Sequence, residues 1–112
     1  MKQSTINKVI EFRDARDWRQ FHTPKDLALS LSLEAAELLE IFQWSGGDLQ
    51  VLAKRAQLQE ELADVLMYCI LLADVTGLDL DEIVLEKLKK NIEKYPADKA
   101  AGRSEKYTKY GE

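Results

Sequence analysis

An all-α fold, a bundle of about four helices assembled with a second chain, is predicted by three observations. Apolar residues recur at three- and four-residue spacing through most of the chain, the period of one helix face. The two prolines and five glycines are few and fall at segment ends, where helices begin or stop. The two central segments are apolar almost all round, the pattern of helices covered on several sides, which a single small bundle can hardly supply.

The first helix is expected from near Thr5 to Gln20, with Ile6, Val9, Ile10 and Phe12 for the core. In FHTPKDL, Thr23 is placed to cap the second helix, with Pro24 as its first residue and Asp26 at the third helical position, a variant of the capping box. That helix is expected to run to about Trp44, where Ser45-Gly46-Gly47 stop it. The third, beginning at about Leu49 or later, contains LADVLMYCILLADV and ends at Thr76, with Gly77 as its stop signal. Asp79 or Asp81 can cap a fourth, which carries Val84, Leu88 and Ile92 inward until Tyr95-Pro96 breaks it. Residues 97–112 form a polar arm, either disordered or ordered by a ligand.

The 112 residues fit one domain spanning 1–112, with a core small enough that association between chains would help bury the remainder. Sixteen basic against twenty acidic residues give a net charge of −4, without the basic footprint that duplex nucleic acid requires. Cys69 lies in an apolar run and reads as a small hydrophobe. The N-terminus lacks the apolar core of a signal peptide, and no stretch of about 18 uncharged residues is present to span a bilayer. The expectation is a cytoplasmic homodimer or homotetramer with no membrane or nucleic-acid partner.

The second helix carries the informative anomaly. At ~100° per residue, Leu27, Leu31, Leu38 and Ile41 point one way, and Glu34 points with them. Glu37 follows at i+3, on the neighbouring turn. On the third helix Glu61 and Asp64 repeat that spacing, in an arc shared with Val65, Tyr68, Leu72 and Val75. Ionised carboxylates in apolar surroundings cost several kcal/mol each after relaxation, and like charges raise one another's pKa. No lysine or arginine run lies on those faces, so a divalent cation is the economical counterion. Oxygen ligands suit Mg²⁺, with Mn²⁺ as a substitute, and argue against zinc. A single E-x-x-E is common on solvated helices; two pairs in apolar arcs of adjacent helices are not. Glu40 reads as surface and Glu60 lies just outside the arc. A di-iron bundle needs two Glu-x-x-His motifs, whereas the one histidine, His22, follows Arg19 at that spacing. GLDLDEIVLEKL lacks the central glycine and ligand positions of an EF-hand.

Lys87 and Asn91 share a stripe of the fourth helix, with Lys94 and Tyr95 close by, and the arm adds Arg103, Lys106 and Tyr107. Such a stripe is ordinarily a solvated face, but beside a metal cluster it offers donors to phosphate oxygens. Trp18, His22 and Trp44 flank the ends of the second helix. Tryptophan in a small helical protein is more often core than platform, though an indole suits a flat base.

The run RDWRQFHTPKDLALSLSLEAAELLEIFQW, then EELADVLMY, then KLKKNIEKYP resembles the MazG-like nucleoside triphosphate pyrophosphohydrolases, in their short single-domain, dCTP-cleaving branch. The family's E-x-x-E, gap, E-x-x-D pattern falls on Glu34, Glu37, Glu61 and Asp64. W-x-x-F-H-x-P, F-Q-W and K-x-x-x-N-x-x-x-Y-P recur in order, and the likeness runs from about Phe12 to Tyr107. It implies an all-α dimer or dimer of dimers that cleaves a nucleoside triphosphate between the α and β phosphorus atoms. By the same resemblance, Glu34, Glu37, Glu61 and Asp64 hold Mg²⁺, and Lys87, Asn91 and Tyr95 contact phosphates or sugar, joined by Tyr68. Trp18, His22 and Trp44 form the base pocket, and Lys106 and Tyr107 belong to an arm able to close over substrate. Where the dCTP-preferring branch has a histidine near the base, this chain has Val9. Glu37 is the candidate base for the attacking water and Lys87 the group that stabilises charge on the leaving pyrophosphate. Two alternatives stand beside this reading: the same scaffold acting on dUTP or a phosphoribosyl nucleotide, and a non-catalytic helical dimer that binds metal or nucleotide as a regulatory module.

Overall fold

The computed structural model describes residues 1–43 and 54–102. Among them the elements are α1 (Gln3–Ala15), a 3-10 turn (Arg19–Phe21), α2 (Pro24–Glu40), α3 (Arg55–Thr76), α4 (Leu80–Lys94) and the short α5 (Ala97–Ala100), with no strand. The fold is all-α. The chain divides into two compact units, residues 1–78 and 79–112. No described helix is long and apolar enough to cross a membrane.

Helix α1 stops five residues before the expected Gln20. Asp17 takes φ 54°, a left-handed conformation that Asp tolerates better than most residues. Its N–H donates to the Asp14 carbonyl at 3.0 Å, and the Trp18 N–H reaches back to the Arg13 carbonyl at 3.2 Å. This is the Schellman pair of bonds, built on Asp where Gly is usual. The chain then turns, and the 3-10 segment carries it to His22. Phe12, expected in the core, is half exposed. It lies at the edge of the stripe formed by Ile6, Val9 and Ile10, beside Val9 in one cleft, under the Arg16 guanidinium at 3.7 Å and edge-on to Trp18 at 5.6 Å. The residue in phase with the apolar stripe is Arg13, buried to 3% exposure.

Helix α2 begins as its sequence predicts: Pro24 opens it and the Thr23 side chain accepts from the Asp26 N–H at 3.1 Å. It ends at Glu40, short of Trp44, and a turn follows through Gln43. The expected stop at Ser45-Gly46-Gly47 lies outside the described residues. Leu27 and Ile41 are buried and Leu31, Glu34 and Leu38 half-buried, so the arc that carries Glu34 is the covered side. Helix α3 packs mainly on α2 and also on α1. Ile70, Leu71 and Ala73 near its C-terminal end are buried, and Gly77 at φ 71° closes it. There the Leu78 N–H donates to the Ala73 carbonyl at 2.9 Å.

In the second unit Asp79 caps α4 by accepting from the Glu82 N–H at 2.9 Å. Val84, Leu88 and Ile92, expected to face inward, are instead exposed. Their i, i+4, i+8 stripe needs a surface to cover it, and α4 by itself has none.

Candidate functional site

Glu34 on α2 and Glu61 and Asp64 on α3 each bring a carboxylate oxygen within 4.8 Å of the others. The packing of α3 on α2 explains how: acids on two different helices meet only because those helices lie against each other. Glu34 Oε2 and Glu61 Oε2 are buried and have no hydrogen-bond partner. A buried acceptor left unsatisfied costs about 1–3 kcal/mol, more when charged.

The acids perturb one another. Burial pushes the Glu34 carboxyl above its usual range, reinforced by a hydrogen bond with Glu37 and by the charges of Glu37, Asp64 and Glu61. Glu61 is pushed up by burial and then by Glu37, Asp64 and Glu60. Acids gathered this closely in partly buried surroundings call for a neutralising charge, either a proton or a cation. The oxygen donors, their spacing and the two orphaned atoms fit a hard divalent cation.

The cluster borders two clefts. The first, about 240 Å³, has Glu34 and Asp64 at its edge, an apolar and aromatic wall that includes Trp18, Met67 and Tyr68, and Arg13 and His22 as its other polar groups. The second, about 400 Å³, is polar and contains Glu37, Glu61, Glu40, Gln57 and Lys54. The Lys54 ammonium donates to the Ile41 carbonyl at 2.6 Å, meeting the negative end of α2.

His22 Nδ1 is buried without a partner. Burial, and secondarily the Arg13 charge, hold the imidazole below its usual pKa, so it is neutral near pH 7. Trp18 and His22 reach this cleft because α1 breaks at Asp17; a helix continuing to Gln20 would have directed them elsewhere.

Of the residues singled out in the sequence, the first unit thus gathers Glu34, Glu37, Glu61 and Asp64 with Trp18, His22 and Tyr68 around adjoining clefts. In the second unit Lys87 and Asn91 lie along one stripe of α4, and Tyr95 caps its C-terminal end, where its N–H donates to the Asn91 carbonyl at 2.8 Å. Trp44, Arg103, Lys106 and Tyr107 lie outside the described residues. Sequence reasoning missed Arg13, whose signal was its position in the Ile6–Val9–Ile10 stripe, and Lys54 and Gln57, which precede Glu61 by about two turns and one turn.

The MazG-like family model matches residues 29–109. The chain is 46% identical to human dCTP pyrophosphatase 1 and 43% identical to the mouse protein, each match covering 88% of this chain and 61% of the relative. It thus spans about three-fifths of the length of those relatives. A pyrophosphatase from Archaeoglobus fulgidus superposes with a TM-score of 0.80 at 43% identity, over 84% of this chain and 91% of that one.

Proposed function

We propose that this chain, which belongs to the MazG-like family, hydrolyses (deoxy)nucleoside triphosphates to the monophosphate and pyrophosphate, in control or cleansing of the cytoplasmic nucleotide pool. One observation carries the reading: three carboxylate oxygens within 4.8 Å of one another, two of the acids holding a buried oxygen with no partner. Such a cluster is costly in a chain that only packs helices, and it is what a magnesium-dependent phosphoryl site needs. The names of the relatives, dCTP pyrophosphatase 1 and a pyrophosphatase, support the same reaction and make dCTP the first substrate to try.

Glu34, Glu61 and Asp64, with Glu37, would hold Mg²⁺, or Mn²⁺ in its stead. A divalent cation supplies charge neutralisation for phosphate oxygens and lowers the pKa of a water bound to it. The chain's own groups do the remaining work. Glu37, next to both buried acids and facing the polar cleft, accepts the proton of the attacking water. Trp18, His22 and Trp44 receive the base, with the indole of Trp18 already on the apolar wall of the smaller cleft. Tyr68, Asn91 and Tyr95 contact sugar or phosphates, and Lys87 offsets charge on the departing pyrophosphate. Residues 97–112, with Lys106 and Tyr107, act as an arm of the single domain. Because phosphoanhydride cleavage asks mainly for positioning and charge neutralisation, no covalent intermediate is required of the protein.

The exposed apolar residues of all three long helices support a homodimer or homotetramer as the working form. The deciding experiment is pyrophosphate release with Mg²⁺ on a panel of ribo- and deoxyribonucleoside triphosphates, including dUTP, with Glu34→Gln as control. Monophosphate and pyrophosphate from the wild type alone support the reading. Nucleotide binding without cleavage would make the protein a regulatory binding module.

A further inference from the structure

Arg13 has no role in the reaction as set out above, yet it is among the least exposed of the described residues. Its Nε donates to Asp14 at 2.9 Å and its Nη1 to Asp74 at 2.6 Å. Burial works against its charge, and the two aspartates outweigh that effect, so the guanidinium stays cationic. These bonds occupy Nε and Nη1, while the third nitrogen, Nη2, carries two further donors. An ion pair between helices needs no opening onto a cleft. Arg13 nevertheless lines the aromatic cleft, one turn from Val9 on the same face of α1, together with Trp18 and His22.

Resting on the reading that this cleft receives a nucleobase, we propose that Arg13 selects the base. The guanidinium, donor-only and fixed by its two aspartates, donates to two neighbouring acceptors on the base edge, and the cleft therefore takes cytosine before uracil. The chemistry discriminates as follows. Cytosine presents O2 and N3 as adjacent acceptors with an amino donor beside them. Uracil interposes an N3–H between its two carbonyls, which would face the guanidinium donor to donor. The neutral His22 lines the same cleft, and in the tautomer that carries its proton on Nε2 its Nδ1, unpartnered in the folded chain, is the acceptor for the cytosine amino group. Guanine offers adjacent acceptors at O6 and N7 but no amino group next to them on that edge. Asp14 and Asp74 hold the guanidinium in place, which makes its donors directional instead of a diffuse positive charge.

The test is titration calorimetry of the full chain, with Mg²⁺, against the α,β-imido analogues of dCTP, dUTP and dGTP, which resist cleavage at the bond in question. The wild type is expected to bind the cytosine analogue about tenfold or more tightly than the uracil analogue, the scale of one bidentate base contact. Arg13→Met combined with Asp74→Leu replaces the buried pair by apolar side chains, an exchange that cores commonly tolerate. In that variant, checked for cooperative melting, the preference should fall to within about twofold. Arg13→Lys, with one donor point in place of a fork, should lie between, and it decides the matter should the double variant fail to fold. An equal affinity for both analogues in the wild type overturns the proposal. So does a preference that persists in the folded variants while affinity for all three analogues drops together, the result of a purely structural ion pair; binding of none of them overturns it as well. Pyrophosphate release from dCTP judges the hydrolase reading separately. No cleavage with the preference intact removes hydrolysis and leaves Arg13 as the selector, and cleavage with no preference does the reverse.

Discussion

Glu34 tests the site most directly because Glu34→Gln removes one charge at nearly constant shape. Turnover should fall at least about a hundredfold, as expected when a metal ligand is lost, while the helical circular dichroism is retained; full activity in this variant would refute the metal role. The same residue has a pH signature in metal-free protein. Glu34 and Glu61 are held above the ordinary carboxyl range in the folded chain, so between the unfolded and folded values the folded state binds more protons. Their contribution to stability is fully present below the unfolded pKa of about 4.3 and is lost as pH rises through the raised folded values. Melted in chelator from about pH 4 to pH 7, the wild type should therefore lose stability relative to Glu34→Gln, and Mg²⁺ should restore it. Parallel melting curves for the two proteins would show that the acids do not compete for a counterion. Sequence reasoning found all four acids at this scale because each pair lies within one helix, in arcs whose phase a period of 3.6 fixes. It passed over Arg13 because a charged residue in an apolar stripe reveals its purpose only with its partner Asp74, 61 residues away.

Helix boundaries divide by the kind of signal that sets them. Thr23-Pro24, Gly77 and Asp79 act through their own backbone and the next three residues, so the starts of α2 and α4 and the stop of α3 agree with the sequence. Thr23→Ala should cost about 1 kcal/mol, read as a lower urea midpoint with unchanged slope. The end of α1 rests on Asp17, whose left-handed φ of 54° could not be assumed of a non-glycine residue. Asp17→Gly should preserve or slightly raise stability, since glycine adopts that conformation without steric cost. Asp17→Val should lower it by about 1–2 kcal/mol and, by disturbing Trp18 and His22, also raise KM for nucleotide. A valine variant with wild-type melting and kinetics would mean the turn matters to neither.

For the whole molecule, the telling feature is apolar surface left uncovered. Leu29, Leu33 and Leu39 on α2, Leu62 and Leu66 on α3, and Leu85 and Leu88 on α4 are all exposed in the described chain. Light scattering should give a mass of at least two chains, and a mass of one chain would leave these residues unexplained. The sequence by itself determined the all-α class, most helix caps and the four acids of the candidate metal site, because periodicity, capping and stop signals act over one or two turns. Tertiary structure alone decided that the acids of α2 and α3 share one cluster with orphaned oxygens. It also decided that this cluster borders both an aromatic and a polar cleft, and that Arg13, not Phe12, turns inward. Those outcomes depend on which faces of distant helices meet, and the free energy of that meeting comes from burial summed over both helices, which no local spacing encodes.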